Sequence, residues 1–186
     1  MNYMKIVPCD IANGPGVRVS LFVSGCNHHC LGCHNPQTWD PNAGKPFTEE
    51  TLDELIELLQ PDYIQGLTLT GGDPLYPESR EMVSNIIDRV VDTYGAKKDI
   101  WMWTGYTWEE LVSDLDKRDG DIIFDILVLT DVLVDGPYIE AKRNISLPYM
   151  GSSNQRVINC VKTTGYNNVV LWWVPEDKEG KGKINE

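Results

Sequence analysis

Short β-branched runs alternate with amphipathic helical stretches along most of this chain, and each run ends on a glycine-rich or polar turn. Val17-Arg18-Val19-Ser20-Leu21-Phe22-Val23 reads as a strand that stops at Ser24-Gly25. Thr48 with Glu49-Glu50 opens a helix to Gln60, striped by Leu52, Leu55, Ile56, Leu58 and Leu59 and stopped by Pro61. Leu67-Thr68-Leu69-Thr70 is a short strand delivered into Gly71-Gly72-Asp73-Pro74. A second helix spans Glu78 to Tyr94, with Met82, Val83, Ile86, Ile87, Val90 and Val91 at helical spacing and Gly95 as its cap. Ile100-Trp101-Met102-Trp103-Thr104 is the next strand, and Thr107-Trp108-Glu109-Glu110-Leu111 begins a helix towards Lys117. From Ile122 to Val134 periodicity does not separate helix from strand; its end, Val132-Leu133-Val134, is taken as a strand reaching Asp135-Gly136-Pro137. Arg156–Val161 and Val169–Val174 are later strand-like pieces, and the glycine-bearing charged tail from Glu176 is expected to be disordered.

Strand–helix alternation with short connections implies right-handed βαβ units, hence an α/β fold on a mostly parallel sheet. The 186 residues suit one domain, placed at residues 1–175. In such folds ligands gather at the C-terminal ends of the strands. The cysteine-bearing loop after Val23, the Gly71-Gly72-Asp73-Pro74 turn, Thr104-Gly105-Tyr106 and Asp135-Gly136-Pro137-Tyr138 are therefore expected at one rim.

That first loop, Gly25-Cys26-Asn27-His28-His29-Cys30-Leu31-Gly32-Cys33-His34-Asn35, carries three of the five cysteines. Three thiolates at C-x3-C-x2-C spacing can hold three corners of a 4Fe–4S cluster, which normally takes four. A missing ligand leaves an open position, as catalytic metal sites do. The same triplet with His28, His29 or His34 can also complete a Cys3His zinc site. Gly71-Gly72 lets backbone approach a ligand closely, and Asp73 adds a carboxylate; an isolated G-G-D-P is more often an ordinary turn. A zinc knuckle needs no rim of polar turns around it, so their company favours a catalytic cluster beside an organic ligand.

Composition narrows the partners. A formal charge of −12 disfavours nucleic acid, and no basic patch offsets it. No apolar run approaches the roughly 20 residues of a membrane span. The N-terminus has no apolar export segment and the thiols are taken as reduced, so a cytoplasmic setting is expected. His28 and His29 read as loop residues, Cys9 and Cys160 as small buried hydrophobes, and Trp101, Trp103, Trp108, Trp172 and Trp173 as core or interface. Arg18 and Arg156 read as surface salt bridges or as anchors for a carboxylate or a partner.

Asn13-Gly14-Pro15-Gly16-Val17-Arg18, the cysteine triplet with His34-Asn35 and Thr38-Trp39, and Thr70-Gly71-Gly72-Asp73-Pro74 together resemble the glycyl-radical-enzyme activases of the radical SAM superfamily. Trp103-Thr104-Gly105-Tyr106, Leu133-Val134-Asp135-Gly136 and Gly151-Ser152-Ser153-Asn154-Gln155-Arg156 are similar to the branch acting on anaerobic ribonucleoside-triphosphate reductase, phage versions included. The resemblance runs from Asn2 to Arg156. It implies a partial, open (β/α) barrel of radical SAM type, with Cys26, Cys30 and Cys33 holding a 4Fe–4S cluster. S-adenosylmethionine would bind the open iron, its methionine part against Gly71, Gly72 and Asp73 and its adenine near Gly32, Cys33 and His34. Gly32 stands where many such loops carry an aromatic residue, and His34 where this branch often has Tyr; His34 is expected to stack in its place. A one-electron donor such as a flavodoxin would reduce the cluster, and the 5′-deoxyadenosyl radical would take hydrogen from a glycine of the large catalytic subunit of the reductase. No protein general base is expected. The alternatives are an activase of pyruvate formate-lyase or another glycyl-radical enzyme and, in a different class, a non-catalytic zinc-binding adaptor.

Overall fold

The computed structural model describes residues 1–116, 119–163, 168–175 and 182–184. In chain order these form strands β1 (Asn2–Asp10), β2 (Val17–Val23) and β3 (Lys45–Pro46), helix α1 (Glu49–Leu59), strand β4 (Ile64–Gly71) and helix α2 (Arg80–Tyr94). Strand β5 (Asp99–Trp103), helices α3 (Trp108–Ser113) and α4 (Gly120–Leu129), and strands β6 (Val132–Asp135) and β7 (Arg156–Asn159) follow. A two-stranded ribbon of β8 (Trp173–Pro175) and β9 (Gly182–Ile184) stands apart from the main sheet. The main sheet runs β3-β1-β2-β4-β5-β6-β7 and is open. Its centre, β2, β4, β5 and β6, is parallel, and its flanks pair antiparallel. The expected α/β class with a parallel centre is what forms.

Helix ends follow local chemistry. Thr48 accepts the backbone N–H of Thr51, and Thr107 with Glu110 makes a reciprocal capping box at the start of α3. Gly95, at φ 54°, ends α2 as the sequence indicates. A 3-10 turn, Pro77–Ser79, takes the place of that helix's expected first residues. The ambiguous stretch resolves into α4 followed by β6, and α3 ends at Ser113, while Lys117 lies outside the described residues. Of the tail from Glu176, residues 176–181 and 185–186 lie outside them too, and Gly182–Ile184 pairs with β8. The strand expected over Val169–Val174 reduces to a bridge at Leu171 and the start of β8.

Strand β1 is an element the sequence reading did not identify. Its residues are mostly half-buried, and its ladder with β2 is irregular between Val7 and Asp10, around Pro8, which has no N–H to donate. Weak alternation and a proline hid it.

The two faces of the sheet bury different partners. Val19, Leu21, Val23, Leu67, Leu69, Ile100, Met102 and Leu133 join the apolar stripes of α1, α2 and α4, among them Leu52, Leu55, Ile86, Ile87 and Ile126. Each such side chain contributes about 1.5–3 kcal/mol by leaving water. The alternate residues Trp101, Val132, Val134 and Val157 pack with Trp103, Tyr149, Met150, Trp172 and Trp173. Trp101 meets Trp172 edge-on at 4.8 Å and Tyr149 at 5.1 Å, so the tryptophans form core, as expected. Cys160 is buried as expected, but Cys9 is exposed on β1. Among the described residues no helix is long and apolar enough to cross a membrane.

Candidate metal centre

The C-terminal ends of β2, β4, β5 and β6 open onto one cleft of about 210 Å³. The loop after β2 contributes Cys26, His28, Cys30, Cys33 and His34, and the turn after β4 contributes Gly71, Gly72 and Asp73. Thr104 and Gly105 enter from the end of β5, and Gly136 and Tyr138 from the end of β6. The four turns expected at one rim meet there.

Backbone hydrogen bonds lock two of these turns together. Gly72 N–H donates to Val23 O and Asp73 N–H to Gly25 O, both at 2.8 Å. Gly25 N–H donates to Thr38 O at 2.8 Å and Cys26 N–H to Trp39 O at 3.2 Å, closing the cysteine loop on itself. Gly71 takes φ 106°, and a Cβ on Gly72 would sit 2.5 Å from Gly25 O and 3.0 Å from Thr38 O. The glycine pair thus lets the Asp73 turn nest against the backbone that carries Cys26, besides lining the cleft.

All three thiols are free and half-buried. Burial pushes Cys26 up to about 11, against the pull of the His28 and His29 backbone N–H groups, and the Asp73 carboxylate pushes it the same way. Burial raises Cys30 as well. Such thiols resist ionising alone, whereas a bound metal deprotonates them outright. Neither exposed Cys9 nor buried Cys160 lines the cleft. Among the described residues no three His, Cys, Asp or Glu side chains sit close enough to grip one metal ion. Three thiols lining one cleft, with neither other cysteine beside them, are a donor set that a 4Fe–4S cluster with one open iron could use.

Asp73 holds the centre of the site. It is 1 % exposed, and its carboxylate accepts hydrogen bonds from Leu75 N–H (2.9 Å), Thr104 Oγ1 (2.9 and 3.1 Å) and Gly105 N–H (2.9 Å), with His28 Nε2 at 2.8 Å. The hydrogen bond to Asp73 raises the His28 pKa above its ordinary value, and burial opposes that rise. His28 also packs edge-on against Tyr106 at 4.6 Å. His34 lines the cleft with its ring 6.0 Å from that of Tyr138, while Gly32 lies against Tyr138 and Glu140 outside the lining. His29 meets Trp39 edge-on at 4.8 Å and does not line the cleft. The sequence reading placed Thr104 and Gly105 at the rim without assigning them a task. A buried carboxylate must find donors, and that requirement was the available signal.

On the far side of the rim, Arg156 grips two carboxylates. It donates to Glu109 through Nη1 (2.9 Å) and Nη2 (2.7 Å) and to the buried Asp135 through Nε (3.1 Å) and Nη2. Asp135 also accepts the Trp108 N–H at 2.8 Å, so one cluster joins the end of β6 and the start of α3 to the start of β7. Both partners raise the Arg156 pKa. Gln155 links the same region, accepting from the Gly151 and Ser152 N–H groups and donating to Gly136 O.

Residues 12–158 match the family described as a 4Fe-4S single cluster domain. The anaerobic ribonucleoside-triphosphate reductase-activating protein of Enterobacteria phage T4 is 46% identical over 157 residues, covering 84% of this chain and 93% of that protein. The protein of that name from Escherichia coli K12 is 42% identical over 160 residues, with 84% and 97% covered. The one from Vibrio cholerae is 43% identical over 157 residues, with 83% and 96% covered. The match to an iron–sulfur family decides what the cysteine triplet left open between zinc and a cluster. With its three free thiols facing one cleft, the chain belongs to the family of anaerobic ribonucleoside-triphosphate reductase-activating proteins.

Proposed function

We propose that this chain activates an anaerobic ribonucleoside-triphosphate reductase through a 4Fe–4S cluster held by Cys26, Cys30 and Cys33, with S-adenosylmethionine at the iron the protein leaves unligated. The observation that carries this reading is a three-thiol cleft without a fourth cysteine, faced by the Gly71-Gly72-Asp73 turn, in a chain of this family. A bound and reduced cluster would supply one electron for cleavage of the C5′–S bond to methionine and a 5′-deoxyadenosyl radical, and that radical would take hydrogen from a glycine of the large catalytic subunit. Backbone groups of Gly71 and Gly72 suit the methionine amino group, while the Asp73 carboxylate acts mainly on its own chain, because four donors already surround it. His34, exposed at the cleft edge, suits the adenine face.

We read the open sheet as part of an incomplete (β/α) barrel of radical SAM type. Its unpaired side admits a glycine-bearing loop from a large protein. A second hollow of about 310 Å³ shares His34, Trp103 and Gly151 with the cleft and offers such a loop a way in. A flavodoxin-like one-electron donor and a cytoplasmic setting complete the proposal. The test is electron paramagnetic resonance of the reductase after anaerobic incubation with this protein, S-adenosylmethionine and a reductant. A glycyl-radical doublet that depends on all three is expected; its absence with a fully loaded cluster overturns the activity.

A further inference from the structure

Three of the four turns at the rim converge on the single carboxylate of Asp73, and the contact from the cysteine loop is made by a side chain, His28. The other donors come from Leu75 in the same turn and from Thr104 and Gly105 after β5. A carboxylate receiving these hydrogens acts as acceptor, so His28 supplies its Nε2–H. His28 sits between Cys26 and Cys30, its side chain 18 % exposed against 2 % for Asp73. The space it occupies has been cleared: a Cβ on Gly105 would run into the imidazole ring. Tyr106 backs the ring from the side. His28 is half-buried where its loop neighbour His29 is exposed.

From this geometry we infer that His28 is a positioning residue, whose hydrogen bond to Asp73 sets the cysteine triplet at a fixed distance from the Gly71-Gly72 backbone across the cleft. The inference rests on the proposed binding of S-adenosylmethionine between these two walls. Cys26 and Cys30 flank His28, so the stretch carrying two of the three thiols is tied at its middle. Asp73 follows Gly72 directly, and its own N–H is bound to Gly25 O. The His28 hydrogen bond is thus a second tie between this turn and the cysteine loop, placed beyond Cys26 where the backbone bond is not. Its loss leaves three cysteines able to take up iron and sulfide but lets the open iron drift from the groups that receive the methionine end.

The experiment compares wild type with His28→Phe, His28→Gln and Gly105→Ala, each anaerobically reconstituted. The readouts are iron and sulfide content, S-adenosylmethionine affinity, and the change that S-adenosylmethionine causes in the resonance spectrum of the reduced cluster. Phenylalanine keeps the ring against Tyr106 but has no N–H; glutamine carries its Nε2 donor the same number of bonds from the backbone. His28→Phe should keep its iron, bind S-adenosylmethionine at least tenfold more weakly and lose most of the spectral change. His28→Gln should restore affinity to within about threefold, and Gly105→Ala, which keeps the histidine but pushes its ring aside, should reproduce the loss. Affinity of His28→Phe within twofold of wild type overturns the inference. So does equal weakening in the phenylalanine and glutamine variants, or loss of iron from His28→Phe, which would make His28 a cluster-retaining residue. If His28→Phe does not fold, Gly105→Ala and His28→Gln decide by the same criteria. A wild-type cluster that does not respond to S-adenosylmethionine overturns the proposed function itself, an outcome distinct from any difference among variants.

Discussion

Arg18 and Asp99 form an ion pair at 2.6 Å that ties the start of β2 to the start of β5 across β4, with the guanidinium fully buried. Arg18 also donates to Thr68 Oγ1 (2.8 Å) and Leu67 O (2.9 Å), and its guanidinium lies 5.6 Å from the Trp101 ring centroid. Burial pushes the Arg18 pKa down and Asp99 pushes it back up. Arg18 thus makes the expected salt bridge to a carboxylate, but within the sheet and not at the surface, and its burial corrects the expected surface placement. Removing one member of a buried pair strands the other, but Asp99 is 27 % exposed and regains some water. Arg18→Ala should cost about 3 kcal/mol, the low end of that class, read from the urea unfolding midpoint. Arg18→Lys should recover only part, because an ammonium cannot fork to several acceptors. An unchanged midpoint in the alanine variant would remove the pair from the list of framework contacts.

The thiol placement separates the proposed ligands from the other cysteines. Cys26→Ala, Cys30→Ala and Cys33→Ala should each fail to retain a cluster after anaerobic reconstitution. Cys9→Ala and Cys160→Ala should keep about four irons and four sulfides per chain. Full iron content in Cys30→Ala would break the ligand assignment.

Gly72 is a tight backbone joint between its turn and the cysteine loop. Gly72→Ala forces its Cβ against the carbonyl oxygens of Gly25 and Thr38, which are backbone atoms with little room to yield. A loss of about 1–3 kcal/mol in the metal-free protein is expected, as for overpacking elsewhere. Thermal unfolding of the apoprotein measures it, and an unchanged midpoint would mean that the turn shifts freely.

The pair of Arg156 with Glu109 gives stability a pH dependence of known sign. Hydrogen bonding from Arg156 holds Glu109 below its ordinary value of 4.5, so the folded state binds this proton less readily than the unfolded one. The contribution is present above pH 4.5 and is lost as pH falls through the depressed value. Glu109 is 45 % exposed, so the effect should be about 1 kcal/mol or less. The gap in unfolding midpoint between wild type and Glu109→Gln should be widest near neutral pH and close in acid. A gap that widens in acid would contradict the sign.

Sequence by itself settled what depends on neighbours a few positions apart. Thr48, Thr107 and Gly95 mark helix ends through contacts within a turn, and the stripe from Leu52 to Leu59 shows which face turns inward. The C-x3-C-x2-C spacing and the Gly71-Gly72-Asp73-Pro74 turn are local in the same sense, and they carried the candidate ligands and the family resemblance. Tertiary structure alone decided what depends on residues far apart. Asp73 finds His28 45 positions away and Thr104 31 positions away, and no periodicity reports a hydrogen bond across separate strands. Arg18 reaches Asp99 over an even longer interval, and β1 acquires its partners only when β2 lies beside it. The cysteine loop announced three candidate ligands; the fold showed that the loop is pinned to the neighbouring turn by one buried carboxylate, because desolvation makes that group gather donors from every turn within reach.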